Sequence, residues 1–176
     1  KPWIESKGDE WNYWLSYIDR FLKNLGEFLN SDTKNFCPQT NISSAATKII
    51  FSLEPLKSKN IILMSEEDFP SVAFALQKSK SLGYQVRYIP EGLDLNDIQV
   101  WDDYLKEDVA FVLVTQVQSN NGIQLPISSI TSLSNKRSIL SLVDVAQSIG
   151  ILPIDIQKWS ADFIVGSCVK WLSGGP

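Results

Sequence analysis

The sequence predicts an α/β fold, a mainly parallel sheet flanked by helices. Short apolar runs rich in branched residues recur at 61–64, 84–89, 109–115, 139–145 and 162–167. Most are continuous rather than alternating, as expected of strands covered on both faces. Between them lie stretches with helical spacing or helix-start residues, the alternation of a parallel strand–helix–strand chain. Polar or charged residues follow several of the runs, at the strand ends where open parallel sheets hold ligands.

In chain order, residues 9–30 place Trp11, Trp14, Leu15, Ile18, Phe21, Leu22, Leu25 and Phe28 at helical spacing. That predicts an amphipathic packing helix with an acidic first turn. A polar loop containing Pro38 follows. Asn41, Ile42, Ser43, Ser44 and Ala45 then open an apolar helical run. A helix N-terminus offers free N–H groups to a phosphate, and simple N-capping by Ser43 or Ser44 is the structural alternative. After the strand at 61–64, Phe69 precedes Pro70, which suits the first turn of a helix. Phe69 in such a place can also be a hydrophobic staple. Gly83 fits a C-terminal cap ahead of the strand at 84–89. Residues 93–105 predict a helix with its acids toward solvent.

The run 109–115 is the clearest central strand, and Gln118 lies in the loop beyond it. Leu125 and Pro126 start a helix that reaches about Asn135. The run ILSLVDV closes on Asp144, which could cap a helix starting at AQSIG. Gln147, one turn further along that helix, would then point the same way. The last run leads through Ser167 to Lys170, within VKWLSGGP. No internal repeat or low-complexity segment interrupts this order.

Composition narrows the chemistry. The 176 residues can bury a sizeable core. Hydrophobic residues make up 44% and charged residues 20%, as in an ordinary globular domain. A net charge of −4 argues against nucleic acid or an anionic membrane surface as the main partner. The chain has two cysteines and no histidine. That excludes Ser-His and Cys-His catalysis within it and leaves too few ligands for zinc, so no metal site is expected. The sparse cysteines suit a reducing compartment, here the cytoplasm. No apolar run approaches the roughly 20 residues needed to span a bilayer.

Asp144 and Lys170 at two strand ends suit a ligand that needs an anion at one end and an amine at the other. Pyridoxal 5′-phosphate is such a cofactor: it takes a lysine Schiff base and an acidic partner for its pyridinium nitrogen. The order Asp144, Gln147, Gly150, Pro153, Asp155, Ala161, Asp162, Phe163, Lys170, Trp171, Gly174, Gly175, Pro176 resembles the class V aminotransferase superfamily of pyridoxal-phosphate enzymes, in its kynureninase-like branch. The resemblance implies part of the large domain of a fold type I enzyme, with the small C-terminal domain absent. It divides the chain into an N-terminal helical segment and linker, 1–40, and a partial cofactor-binding domain, 41–176. A start at Lys1 and a stop at Gly-Gly-Pro fit this expectation of a fragment.

The same resemblance implies roles. Lys170 would hold the cofactor and move protons. Asp144 would face the ring nitrogen, and Gln147 would support the ring or its oxygen. Phe69, in a Phe-Pro-Ser pattern, would stack on the ring, and Gln118 would approach its phenolic oxygen. Ser43, Ser44 and Ser167 would meet the phosphate. Val72 stands where kynureninases usually carry aspartate, and Val169 where they carry tyrosine. The implied substrate is an amino acid, and the implied assembly of the whole protein is a homodimer. Desulfurase-like or epimerase-like chemistry, or a cofactor-free scaffold with a relic site, is the alternative. No G-x-G-x-x-G or P-loop pattern points to a nucleotide.

Overall fold

The computed structural model describes residues 2–5 and 10–174. The helices are α1 (Pro2–Glu5), α2 (Trp11–Phe28), α3 (Ile42–Phe51), α4 (Pro70–Gln77), α5 (Ile98–Tyr104), α6 (Ile127–Lys136) and α7 (Ile156–Trp159). The strands are β1 (Ile61–Ser65), β2 (Gln85–Ile89), β3 (Val109–Thr115), β4 (Leu140–Asp144) and β5 (Phe163–Val165). The chain forms two compact units. One comprises residues 1–38 with Asp155–Gln157, the other Gln39–Ile154 with Lys158–Pro176.

In the larger unit all five strands pair in parallel, in the order β2-β1-β3-β4-β5. The predicted fold class is therefore present. Side chains alternate across each strand. Ile62, Met64, Phe111, Leu113 and Leu142 join Ala46 and Ile50 of α3 and Val72, Ala73 and Leu76 of α4 in one buried cluster. The intervening residues Leu63, Val112, Val114 and Val143 are buried as well, and α6 packs beside β4 with α5 against α6. Burial on both faces explains why these strands read as continuous apolar runs. After β2 the chain crosses back over β1 to lay down β3. That reversal makes a topological switch point at the carboxyl ends of β1 and β3, the place where open parallel sheets hold ligands.

Several predicted elements differ in extent. The helix foreseen at 93–105 is confined to α5, because Asp97 caps it by accepting the Gln99 N–H and residues 93–96 lie in turns and loop ahead of that cap. β5 is three residues long. No helix starts at Ala146: residues 146–148 form a turn that ends near Gly150 in the left-handed region at φ 101°.

In the smaller unit α2 covers the predicted helical run, but it spans Trp11–Phe28 and its first turn carries no acid. Trp11, Trp14, Leu15, Ile18, Phe21 and Phe28 remain exposed, and Gly26 is the buried residue of the helix. Asn30 ties the unit to its distant segment, with its carbonyl accepting from Gln157 Nε2 at 2.9 Å. Among the described residues, no helix is long and apolar enough to cross a membrane.

Candidate active site

The carboxyl ends of β1, β3, β4 and β5 bring the polar residues of the larger unit together. Asp144 ends β4 and is 4% exposed. Its Oδ1 accepts the Ala146 N–H at 2.8 Å, so the aspartate closes a turn. Burial raises its pKa, while the Ala146 N–H and the charge of Lys170 pull it down. Lys170 lies in the loop after β5, its Nζ 5.5 Å from the centroid of the Phe69 ring. Phe69 is the N-cap residue of α4 and is half exposed. An ammonium over an aromatic face is a favourable arrangement, and it leaves the amine available. The lysine loop is folded by two backbone bonds, Gly174 N–H to the Cys168 carbonyl at 2.8 Å and Ser173 N–H to the Lys170 carbonyl at 3.2 Å.

Gly150 explains how the turn and this loop fit. A Cβ built on Gly150 would stand 3.0 Å from Leu172 Cδ2 and 3.1 Å from the Trp171 carbonyl carbon. Only a residue without a side chain lets the turn after β4 approach the lysine loop this closely.

Gln118 follows β3 and is 2% exposed. Neither its Nε2 nor its Oε1 has a hydrogen-bond partner. An amide buried without full partners costs free energy, so a further polar group would be favourable beside it. Gln147 is half-buried and sits in the turn after Asp144. Its predicted position one helical turn from Asp144 is therefore corrected, because the Asx bond of Asp144 and the left-handed Gly150 replace the helix.

Ser43 and Ser44 lie in the first turn of α3 rather than ahead of it. The cap is Asn41, whose side chain accepts the Ser44 N–H at 2.8 Å. Ser43 Oγ donates to the Ser71 carbonyl at 3.2 Å, which joins the N-terminal turns of α3 and α4. Ser167 is half-buried beyond β5, and its Oγ accepts the Val169 N–H at 3.4 Å.

Sequence reasoning missed Asp68. It is 6% exposed and lies between β1 and α4. Its Oδ2 accepts the Ser65 N–H at 2.8 Å and its Oδ1 accepts the Thr115 hydroxyl at 2.7 Å. Burial pushes its pKa from 3.8 up to about 6, opposed by those two bonds and by the nearby Gln118 amide, while Asp144 adds to the rise. It is the last residue of the acidic run Glu66, Glu67, Asp68, for which the sequence alone suggested no role. Its place at the end of a buried strand, next to Phe69, was the available signal.

The folded pKa of Asp68 exceeds its unfolded value, so the folded chain holds this proton more tightly. The stability it contributes is complete below about pH 4 and is lost as pH rises through about 6. The full loss is on the order of 3 kcal/mol. Urea unfolding of the wild-type protein should show stability falling between pH 4 and 6. Asp68→Asn should flatten that fall, and an identical pH profile in the variant would refute the assignment.

Comparisons with known proteins bear on the family and the fold. The family model for aminotransferase class-V matches residues 23–176. The chain belongs to the class-V aminotransferase family. A kynureninase of Deinococcus radiodurans is 27% identical over 165 residues, covering 93% of this chain and 38% of that protein. A cysteine desulfurase IscS of Shewanella piezotolerans is 29% identical over 157 residues, covering 87% of this chain and 39% of its own length. This class-V chain thus spans less than half the length of these curated relatives. Among solved structures, the cystine C–S lyase C-DES with its product cysteine persulfide superposes at a TM-score of 0.82. That structure is 23% identical and covers 93% of this chain and 45% of its own. A lysine mutant of C-DES, with glycine covalently linked to its pyridoxal-phosphate cofactor, gives 0.84 at 21% identity, covering 93% and 44%. The partial large domain of this fold is thereby established.

Proposed function

We propose that this chain carries the cofactor-binding half of a pyridoxal-phosphate enzyme that acts on an amino acid, kynureninase-like or class V aminotransferase-like. The observation that carries the reading is the convergence of Lys170, Phe69, Asp144 and the unpartnered Gln118 at the carboxyl ends of neighbouring strands. The residues fit the cofactor: a buried carboxylate suits a ring nitrogen, the open Gln118 amide suits a ring oxygen, and two adjoining helix N-termini suit a phosphate.

When bound, the cofactor supplies an electron sink for negative charge at a substrate carbon. The protein does the rest. Lys170 Nζ would hold the cofactor, and its amine would take and return the proton at the substrate α-carbon. Asp144 holds a proton on the ring nitrogen. Phe69 covers one ring face and excludes water there. Gln118 fixes the ring oxygen, with Gln147 in support. Ser43, Ser44 and Ser167 bind phosphate. The intact enzyme acts as a homodimer. A desulfurase-like reaction on a sulfur amino acid is the second reading, favoured by Ser167 three residues before Lys170.

The test is chemical trapping. The full-length protein is incubated with pyridoxal phosphate, reduced with borohydride and digested. A phosphopyridoxyl mass on the peptide containing Lys170 is expected. Its absence, or its presence only on surface lysines, would overturn the proposal.

A further inference from the structure

Three acids follow β1, and only the last turns inward. Glu66 Oε2 accepts the Glu91 N–H at 2.9 Å, and Glu67 Oε2 accepts from Asn121 Nδ2 at 2.7 Å. Asp68 instead is buried and bridges the ends of β1 and β3, accepting from Ser65 and Thr115. Thr115, which donates to it, is the register partner of Asp144 across β3 and β4. One residue of β3 thus stands between two buried carboxyls. The buried Gln118 amide faces the same place and acts on Asp68.

Two carboxyls removed from water repel each other, and each loses solvation. Hydrogen bonds from Ser65 and Thr115 offset part of this for Asp68. A ligand bearing a protonated nitrogen would offset more. We infer that Asp68 is a positioning residue for the cofactor ring: it anchors the end of β3 beside Gln118 and shares with Asp144 the negative charge that a protonated ring nitrogen completes. This rests on the cofactor reading given above. Asp68 acts through Asp144 and Gln118. Among the described residues, Asp144 of β4 is the charged group acting on Asp68, and Lys170, beyond β5, acts on Asp144. Ser65, Thr115 and Gln118 face Asp68 as uncharged groups.

The consequence is a pH-dependent coupling. Below about pH 5 Asp68 carries its proton, and removing its charge changes little. Above pH 7 it is ionised, and its loss weakens the hold of Asp144 on a cationic ring. The probe is pyridoxamine 5′-phosphate, which lacks the aldehyde, so attachment to Lys170 does not enter. Its Kd for the full-length protein is measured by calorimetry from pH 5 to 8, beside Asp68→Asn. The ratio of variant to wild-type Kd should be near 1 at pH 5 and roughly 10 at pH 7.5, one pKa unit of coupling.

A ratio that stays constant with pH would reduce Asp68 to a structural role and overturn the inference alone. Failure of the wild-type protein to bind the probe at any pH would overturn the cofactor reading with it. Thr115→Val is the second variant, in case Asp68→Asn does not fold. It keeps the charge but removes a bond that favours ionised Asp68, so the midpoint of its pH profile should move upward. An unmoved midpoint would count against the inference.

Discussion

Lys170→Ala should abolish covalent cofactor attachment, leaving no Schiff-base absorption band and no borohydride-trapped product. In the proposed reading this amine is the nucleophile; the chain has no histidine, and among the described residues Lys170 is the cation that acts on Asp144 and lies over Phe69. The amine lies in an exposed loop, so its removal opens no cavity and should leave thermal unfolding within about 0.5 kcal/mol of wild type. That separation between lost chemistry and retained fold is the informative result. Lys170→Arg keeps the cation over Phe69 but cannot attach, so it should match the alanine variant in chemistry. A band that persists in either variant would place the attachment at another lysine and remove the reading of this loop.

Asp144→Asn should reduce amino-acid-dependent turnover by roughly a thousandfold, the scale of losing one preorganised charge at a reacting centre. Asparagine is nearly isosteric, and its oxygen can still accept the Ala146 N–H that closes the turn. The fold should therefore hold, and stability at neutral pH should rise slightly because a buried charge has gone. The rate of the spectral change on adding amino acids to cofactor-loaded protein measures the effect. A loss of less than about tenfold would leave Asp144 as a cap of its turn and nothing more.

The sequence disclosed most of the sheet because β1, β3 and β4 are buried on both faces, and their apolar runs have no competing period. It placed Asp144 and Lys170 at strand ends for the same reason: one closes such a run and the other follows one. It was less clear where local chemistry depends on three-dimensional neighbours. AQSIG has helix-forming residues, yet the Asx bond of Asp144 and the close approach of Gly150 to Trp171 impose a turn. The acids at 94, 97, 102 and 103 suggested one long solvated helix, and Asp97 instead stops it from starting earlier. The aromatic stripe of α2 has the spacing of a packing helix, but spacing cannot report what covers it. Asp68 was hidden by two acidic neighbours that do face outward.

The order of the strands also governs when such a site can come into being. The β1–β3 pairing joins the two stretches of chain most distant in sequence of any neighbours in the sheet. It carries the greatest loop-closure entropy and should form late. Asp68 comes from one side of that seam, and Thr115 and Gln118 from the other. A refolding chain would therefore gain its helices and the β3–β4–β5 ladder before it could grip a ring. Cofactor capture would be the last spectroscopic signal to return.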